Sequence, residues 1–255
     1  MTPDHADRAA AALVDTWARL MGEHPDAWME TRDGVSACVT GIPSPGLNGI
    51  WCSRRDPDPA DIERFLDELK ARRVPHLLEL RPGTDEAALA VPERRGLTPD
   101  DDVPLMRLDD PATLERARAA VPELVVRELS PEEGPRHARV AAAGFEEDPS
   151  HFERLLPPSV LGIDGVRTYV GAIDGEIVTT ALGMTQEDYV GIFNVATPPA
   201  HRGRGYGAAI TARTVLDGFG AGAEWAWLQS SPSGYRIYEA LGFRTLERWL
   251  CWVRL

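Results

Sequence analysis

The chain has 255 residues, 43% of them hydrophobic and 26% charged, which is ordinary globular composition with enough apolar side chains for a sizeable core. Forty acidic against 27 basic residues leave a net charge of −13, so a phosphate-rich nucleic acid is a poor partner and a cationic amine a comfortable one. No apolar run approaches the ~20 residues of a membrane span, and the amino-terminal stretch, acidic and without an unbroken apolar segment, does not read as a secretory signal.

The elements follow in order. Residues 5–22 repeat apolar positions at helical spacing through Ala10, Leu13, Val14, Trp17, Leu20 and Met21. VSACVTGI (35–42) alternates like a strand, and IWC (50–52) opens another. Residues 56–73 predict a helix capped by Asp58 or Asp61, with Ile62, Phe65, Leu66 and Leu69 on one face. HLLEL (76–80) reads as a buried strand, Thr84 as a short helix start, VPLMRLD (103–109) as a strand, and 109–122 as a partly helical connector. A domain boundary near residue 120 gives two domains, 1–120 and 121–255.

In the second half, residues 124–130 read as a strand. Ser130-Pro131-Glu132-Glu133 starts a helix that runs to about Ala143, and a further helix spans Ser150–Leu156. VRTYVGAI and EIVTTALGM flank Asp174-Gly175, the pattern of a two-residue hairpin. YVGIFNVAT (189–197) is a strand stopped by Pro198-Pro199, and a glycine-rich loop then feeds a helix. Residues 224–230 form a strand, 233–243 a short helix closed by Gly242, and the last twelve residues a strand. Strand, helix, strand, helix, strand at 50–109 echoes the end of the chain, as a duplicated domain would.

Three scattered cysteines, Cys38, Cys52 and Cys251, form no C-x-x-C and no ligand-spaced cluster with the six histidines, so neither a disulfide framework nor a metal site is expected. A reducing, cytoplasmic setting is the expectation. Cys251 lies between Leu250 and Trp252 and reads as sheet filler. The tryptophans at 225, 227, 249 and 252 read as sheet packing.

The stretch from Asn194 to Ile210 carries the chemistry. An apolar strand ends at Val195-Ala196-Thr197, two prolines block further pairing, Gly203, Gly205 and Gly207 alternate, and a helix follows. A helix start offers unpaired N–H groups and about half a positive charge, and glycines let a bulky anion approach them. Arg202 and Arg204 add full charges. The same glycines would also serve a tight turn capping a core helix. A Walker loop is excluded, because the single lysine is Lys70. Gly203, Gly205 and Ala208 match a dinucleotide fingerprint, but Pro198–Arg202 separate strand from glycine, and the next strand ends in Leu228-Gln229-Ser230 rather than an acid.

Here the sequence resembles the GNAT N-acetyltransferase superfamily. Arg202-Gly203-Arg204-Gly205-Tyr206-Gly207 meets its R/Q-x-x-G-x-G/A signature, after the V-x-x-P arrangement Val195–Pro198, and Tyr238–Phe243 matches its Y-E-x-L-G-F closure. The resemblance covers residues 124–255, with the first half resembling a degenerate copy. It implies an α/β mixed-sheet fold of the acetyl-CoA N-acyltransferase type, as two tandem GNAT-like domains with one working site. It implies acetyl-CoA as co-substrate and a small-molecule or peptide amine as acceptor. Backbone amides from Arg202 through Gly203, Arg204, Gly205, Tyr206 and Gly207 to Ala208 would bind the pyrophosphate, with the two arginine side chains available to assist. Val195, Ala196 and Thr197 would part from the strand ending near Ser230 and pair with the pantetheine arm, and an N–H near Val195 would polarise the thioester carbonyl. Tyr238 would protonate the leaving thiolate. Asn194 stands where many relatives carry a carboxylate, so the base stays open among Glu187, Asp188, His201 and Glu146. The acids 146–148 either attract a cationic amine or start a helix. The alternative function is a non-catalytic acyl-CoA-binding or regulatory module. The acceptor would contact loops 144–165 and 184–189 and some of the first half, but its identity and the oligomeric state are not legible.

Overall fold

In a computed structural model that describes residues 4–255, Asp4 accepts a hydrogen bond from the Asp7 N–H at 2.8 Å and so caps α1 (His5–Gly22). Strand β1 (Trp28–Arg32) forms a hairpin with β2 (Val35–Val39), turned by Asp33 and Gly34 at positive φ; residues 28–32 show no apolar–polar alternation that would reveal β1. Strand β3 (Asn48–Cys52) leads to α2 (Pro59–Ala71), for which Asp58, not Asp61, is the cap. Then come β4 (His76–Leu80), α3 (Glu86–Arg94) and β5 (Thr98–Leu108). Asp85, one residue past the expected Thr84, caps α3; the Thr84 hydroxyl instead donates back to the Arg81 carbonyl.

The chain divides into two compact units. The first comprises Met1–Leu105 and Thr245–Leu255, the second Met106–Arg244. This differs from a division at residue 120. The segment read as a connector packs instead into the second unit: Met106, Leu108 and Leu114 share a core with Val190, Ile192, Ala212, Val215, Ala226 and Leu228. The carboxy-terminal strand belongs to the first unit.

In the first unit the neighbours run β1-β2-β3-β4-β11-β5, where β11 is Arg244–Arg254. Helix α2 buries Ile62, Phe65, Leu66 and Leu69 against Val35, Ile50, Leu78 and Leu80. The β3–β4 pair is parallel and runs to the last residue of both strands, Cys52 opposite Leu80. Beyond it the buried Arg81 donates to the Ser53 carbonyl (2.9 Å) and to both carboxylate oxygens of Glu247 (2.8 Å each).

The second unit opens with α4 (Leu114–Ala119) and β6 (Val125–Leu129), then α5 (Gly134–Phe145), α6 (Pro149–Leu155) and α7 (Pro158–Leu161). Ser130 and Glu133 form the expected capping box, although the first turn, Pro131–Glu133, is 3₁₀. Next are β7 (Val166–Ile173), β8 (Glu176–Gln186), β9 (Tyr189–Ala196), α8 (Tyr206–Gly220), β10 (Trp225–Gln229) and α9 (Tyr235–Leu241). Strand order is β10-β9-β8-β7-β6, with β10 and β9 parallel and the remaining pairs antiparallel. Asp174 and Gly175 both take positive φ, as the hairpin turn requires. Helix α8 seats Gly218 on Val190, where a Cβ would fall 2.7 Å from the valine side chain. Among the described residues no helix is long and apolar enough to cross a membrane.

Candidate active site

Strands β9 and β10 pair through only three positions, Tyr189–Trp225, Val190–Ala226 and Gly191–Trp227. Beyond these, β9 continues to Ala196 and β10 to Gln229 without facing each other in a ladder. The strands therefore part near their carboxyl ends. At the parting point a Cβ on Gly191 would lie 2.9 Å from both the Phe193 and the Trp227 rings, which themselves meet edge-on at 5.3 Å. Phe193 faces Leu182 and Ala196 faces Thr180, so Asn194 and Val195 together oppose the single Ala181. This is a β-bulge, and Asn194, at φ 49°, takes its left-handed conformation. The bulge re-aims the backbone just where the strand loses its β10 partner.

The loop after β9 has two parts. The N–H groups of His201 and Arg202 are already bonded, to the carbonyls of Pro198 (2.9 Å) and Pro199 (3.3 Å). The amides of Gly203, Arg204, Gly205, Tyr206, Gly207 and Ala208 have no acceptor among the described residues; the first bond of α8 runs from Ala209 N–H to the Gly205 carbonyl, 3.0 Å. Gly203 (φ 77°) and Gly205 (φ 81°) lie in the left-handed region, so their identity is a backbone requirement. Six open amides at the start of a fifteen-residue helix form a nest for an anion.

A cavity of about 650 Å³ extends from this nest. It is lined by Val195, Ala196 and Thr197 from β9, by the loop and first turn of α8, by Gly144, Phe145 and Glu146 from the end of α5, and by Ser231, Ser233, Gly234, Ile237 and Tyr238 before and on α9. Gly144 allows α5 to meet β9: a Cβ there would stand 2.7 Å from Ala196 Cβ and 3.1 Å from the Thr197 nitrogen.

The structure thus brings together Val195, Ala196, Thr197, Arg202, Gly203, Gly205, Tyr206, Gly207, Ala208 and Tyr238. Two expected residues stand outside the lining. Arg204 is exposed on the loop, and the buried Ser230 donates its hydroxyl to the Ser231 carbonyl at 2.8 Å. Arg202, exposed on the cavity wall, has two of its donors engaged by backbone. Its guanidinium donates to the carbonyls of Thr197 (3.1 Å) and Gly144 (2.6 Å) and staples the end of α5 to the end of β9. Of the four groups open as the base, Glu187 and Asp188 precede β9 at the end opposite the parting. Asp188 there accepts from the Trp225 indole at 3.1 Å. His201 lies 3.4 Å from Glu176 on the rim. Sequence reasoning missed Ser233, Gly234 and Ile237 as lining residues and had Gly144 and Phe145 only as part of an acceptor loop, 144–165; the meeting of a helix end with β9 is a tertiary fact.

The Tyr238 hydroxyl has no hydrogen-bond partner among the described residues, while its ring packs edge-on against Phe243 at 6.0 Å. Burial pushes its pKa up to about 12, so the phenol keeps its proton at neutral pH. His137, fully buried on α5, has its pKa pushed down to about 4 by desolvation. Its Nδ1 lies 2.6 Å from the Thr180 hydroxyl, which already donates to the Tyr169 carbonyl, so Nδ1 is the donor and Nε2 has no partner. Cys251 is buried in β11 with its thiol pushed well up by desolvation, as a packing residue would be.

Residues 164–245 match the family model described as the acetyltransferase (GNAT) domain. The match lies in the second unit but for residue 245. No curated protein matches the sequence. Among solved structures, the fold is similar to a GCN5-related N-acetyltransferase from Kribbella flavida, with 22% identity over 98% of this chain and 95% of that one and a TM-score of 0.69. A tandem GNAT protein from the clavulanic acid biosynthesis pathway aligns at 14% identity over 99% and 88%, with a TM-score of 0.59. A GCN5-related N-acetyltransferase from Sphaerobacter thermophilus aligns at 18% over 89% and 75%, also with a TM-score of 0.59. The shared fold therefore extends across both units, while the family model covers part of the second.

Proposed function

We propose that the GNAT domain transfers an acetyl group from acetyl-CoA to an amine, with Tyr238 donating a proton to the departing sulfur. The observation that carries this reading is the run of six unpartnered amides, Gly203–Ala208, all but Arg204 belonging to residues that line the cavity where β9 leaves β10. The residues present fit the co-substrate. The nest and the α8 dipole suit a diphosphate. The free edge of β9 from Val195 suits an amide-bearing arm laid alongside it as an added strand.

Acetyl-CoA supplies the activated acyl group and departs as its thiol. This chain's residues do the remaining work. At the bulge, where Asn194 and Val195 oppose one residue of β8, a backbone N–H left out of the ladder would lie beside the site and polarise a carbonyl oxygen. Tyr238 holds a proton through the neutral range. A phenol at about 12 is a weak acid toward a thiolate in water, where a thiol titrates near 8.5. In the same water-poor pocket a thiolate is destabilised likewise, which narrows the gap and makes the Tyr238 O–H an effective donor.

The first unit supports a degenerate copy without a working site. Its parallel pair never parts, and Arg81 ties the ends of β3 and β4 through Ser53. Titration with CoA is expected to give one site per chain, and acetyl-CoA with an amine panel is expected to release free thiol. An absence at the end of β9 favours a second reading: Asn194 is an amide that cannot serve as a base, as in a non-catalytic acyl-CoA-binding module. CoA binding without thiol release from any amine would decide for that module.

A further inference from the structure

Three acids follow α5, and the structure separates their roles. Asp148 caps α6 by accepting from the Ser150 N–H at 2.8 Å. Glu147 lies 2.9 Å from His151 Nδ1. Glu146 does neither: it has no ion-pair partner among the described residues, and it is the one carboxylate lining the 650 Å³ cavity. It occupies the C-cap of α5 at φ 59° and ψ 38°, where glycine or asparagine is usual, while its N–H bonds to the Ala142 carbonyl.

Beside it, Phe145 is 44% exposed, an unusual state for a phenylalanine on a cavity wall. Its ring stacks on Phe152 at 5.6 Å and 19°, so it forms a backed platform rather than a loose side chain. The wall is held in place, because Arg202 grips the Gly144 carbonyl and Gly144 abuts Ala196. Carboxylate and platform are thereby fixed beside the stretch of β9 along which the acyl donor would lie.

A carboxylate in a cavity that receives a diphosphate repels that ligand and is out of place unless it faces a cation. We infer that Glu146 and Phe145 form the acceptor subsite, and that the acceptor is a primary amine, cationic in solution and carried on an apolar or aromatic body. The ammonium lies against Glu146 and the body over Phe145. This inference rests on the acetyl-transfer reading and narrows its acceptor.

The test compares wild type, Glu146→Gln and Phe145→Ala with 2-phenylethylamine, ethanolamine and glutamate, following thiol release, and measures 2-phenylethylamine binding to the CoA-loaded protein by calorimetry. CoA affinity of each variant reports a folded site. The expected ranking puts 2-phenylethylamine first and glutamate last. Glu146→Gln is expected to raise the amine KM or Kd roughly tenfold, as loss of a charged hydrogen-bond partner does, without weakening CoA. Phe145→Ala is expected to reduce 2-phenylethylamine to the level of ethanolamine and to leave ethanolamine unchanged. Thiol release that is indifferent to both substitutions, or a ranking led by ethanolamine or glutamate, overturns the subsite and leaves acetyl transfer standing. Amine binding that Glu146→Gln abolishes, in a protein that releases no thiol, upholds the subsite and removes the transfer. Failure of 2-phenylethylamine to bind the CoA-loaded protein overturns the inference outright.

Discussion

The anion nest can be tested by placing a charge in it and comparing that change with an uncharged twin. Gly205 caps α8 at φ 81°, and a Cβ there would stand 3.2 Å from a Val121 methyl. Gly205→Glu and Gly205→Gln share the left-handed penalty of ~1–2 kcal/mol. At about 2–4 °C per kcal/mol for a chain of this size, both should melt roughly 2–8 °C below wild type. Only the first adds a negative charge. A carboxylate ~6 Å from one phosphate charge costs roughly 0.7 kcal/mol at the dielectric of water and about 2.8 kcal/mol at an effective dielectric of 20. CoA should therefore bind about 3- to 100-fold more weakly to the glutamate variant than to the glutamine one. Calorimetry at low salt measures this ratio, and it should shrink as salt is raised, because an exposed pair is screened. Equal dissociation constants for the two variants at low salt would refute the placement of the diphosphate.

Tyr238→Phe is expected to lower kcat by ~10²-fold or more while leaving the CoA dissociation constant within a few-fold of wild type. Because burial holds this phenol at about 12, no loss of kcat from its ionisation is expected below pH 10; a Phe variant with full turnover, where chemistry limits the rate, removes the acid role. Gly144→Ala gains ~1 kcal/mol of helix propensity but drives a methyl into Ala196 and the Thr197 backbone. The expected result is a net loss of up to about 2 kcal/mol, with the amine KM raised more than the CoA dissociation constant. His137 should make the fold acid-labile. Its folded pKa of about 4 lies below the unfolded 6.5, so the unfolded chain binds more protons between these values. Stability from this residue is complete above pH 6.5 and falls by about 3 kcal/mol as pH drops to 4. His137→Gln should show a smaller drop in Tm between pH 7 and 4.5, read by thermal melts.

Much of the second unit was legible because its signals are local. Asp174-Gly175 demands a hairpin turn, Ser130 and Glu133 make a capping box, and Gly242 at φ 99° ends α9 where the pattern placed it. The glycine loop was legible for the same reason, since φ values of 77° and 81° leave a signature in residue type. Long-range uses of side chains were not. Arg202 reads as a phosphate ligand beside the glycines, yet the carbonyls it holds belong to Thr197 and to Gly144, the latter on a different element. Glu187 and Asp188 are near the motif in sequence but lie a strand's length from it in space. Leu108 and Leu114 precede residue 120 yet enter the core of Val190 and Leu228, a contact that no local pattern announces. Strand β1 escaped because its first three residues are half-buried and its last two exposed, with no alternation to read.

Strand β11 lies between β4 and β5, and its Glu247 is the counter-ion of the buried Arg81. It leaves the ribosome about 140 residues after Leu105. At roughly 5–20 residues per second, the amino-terminal body spends some 7–30 s with two bare strand edges and with Arg81 paired to Asp7 but not yet to Glu247. It can close only once β11 has been made. A gene fragment encoding residues 1–120 would omit the strand that completes its own product, and one encoding 121–255 would carry that strand as an orphan.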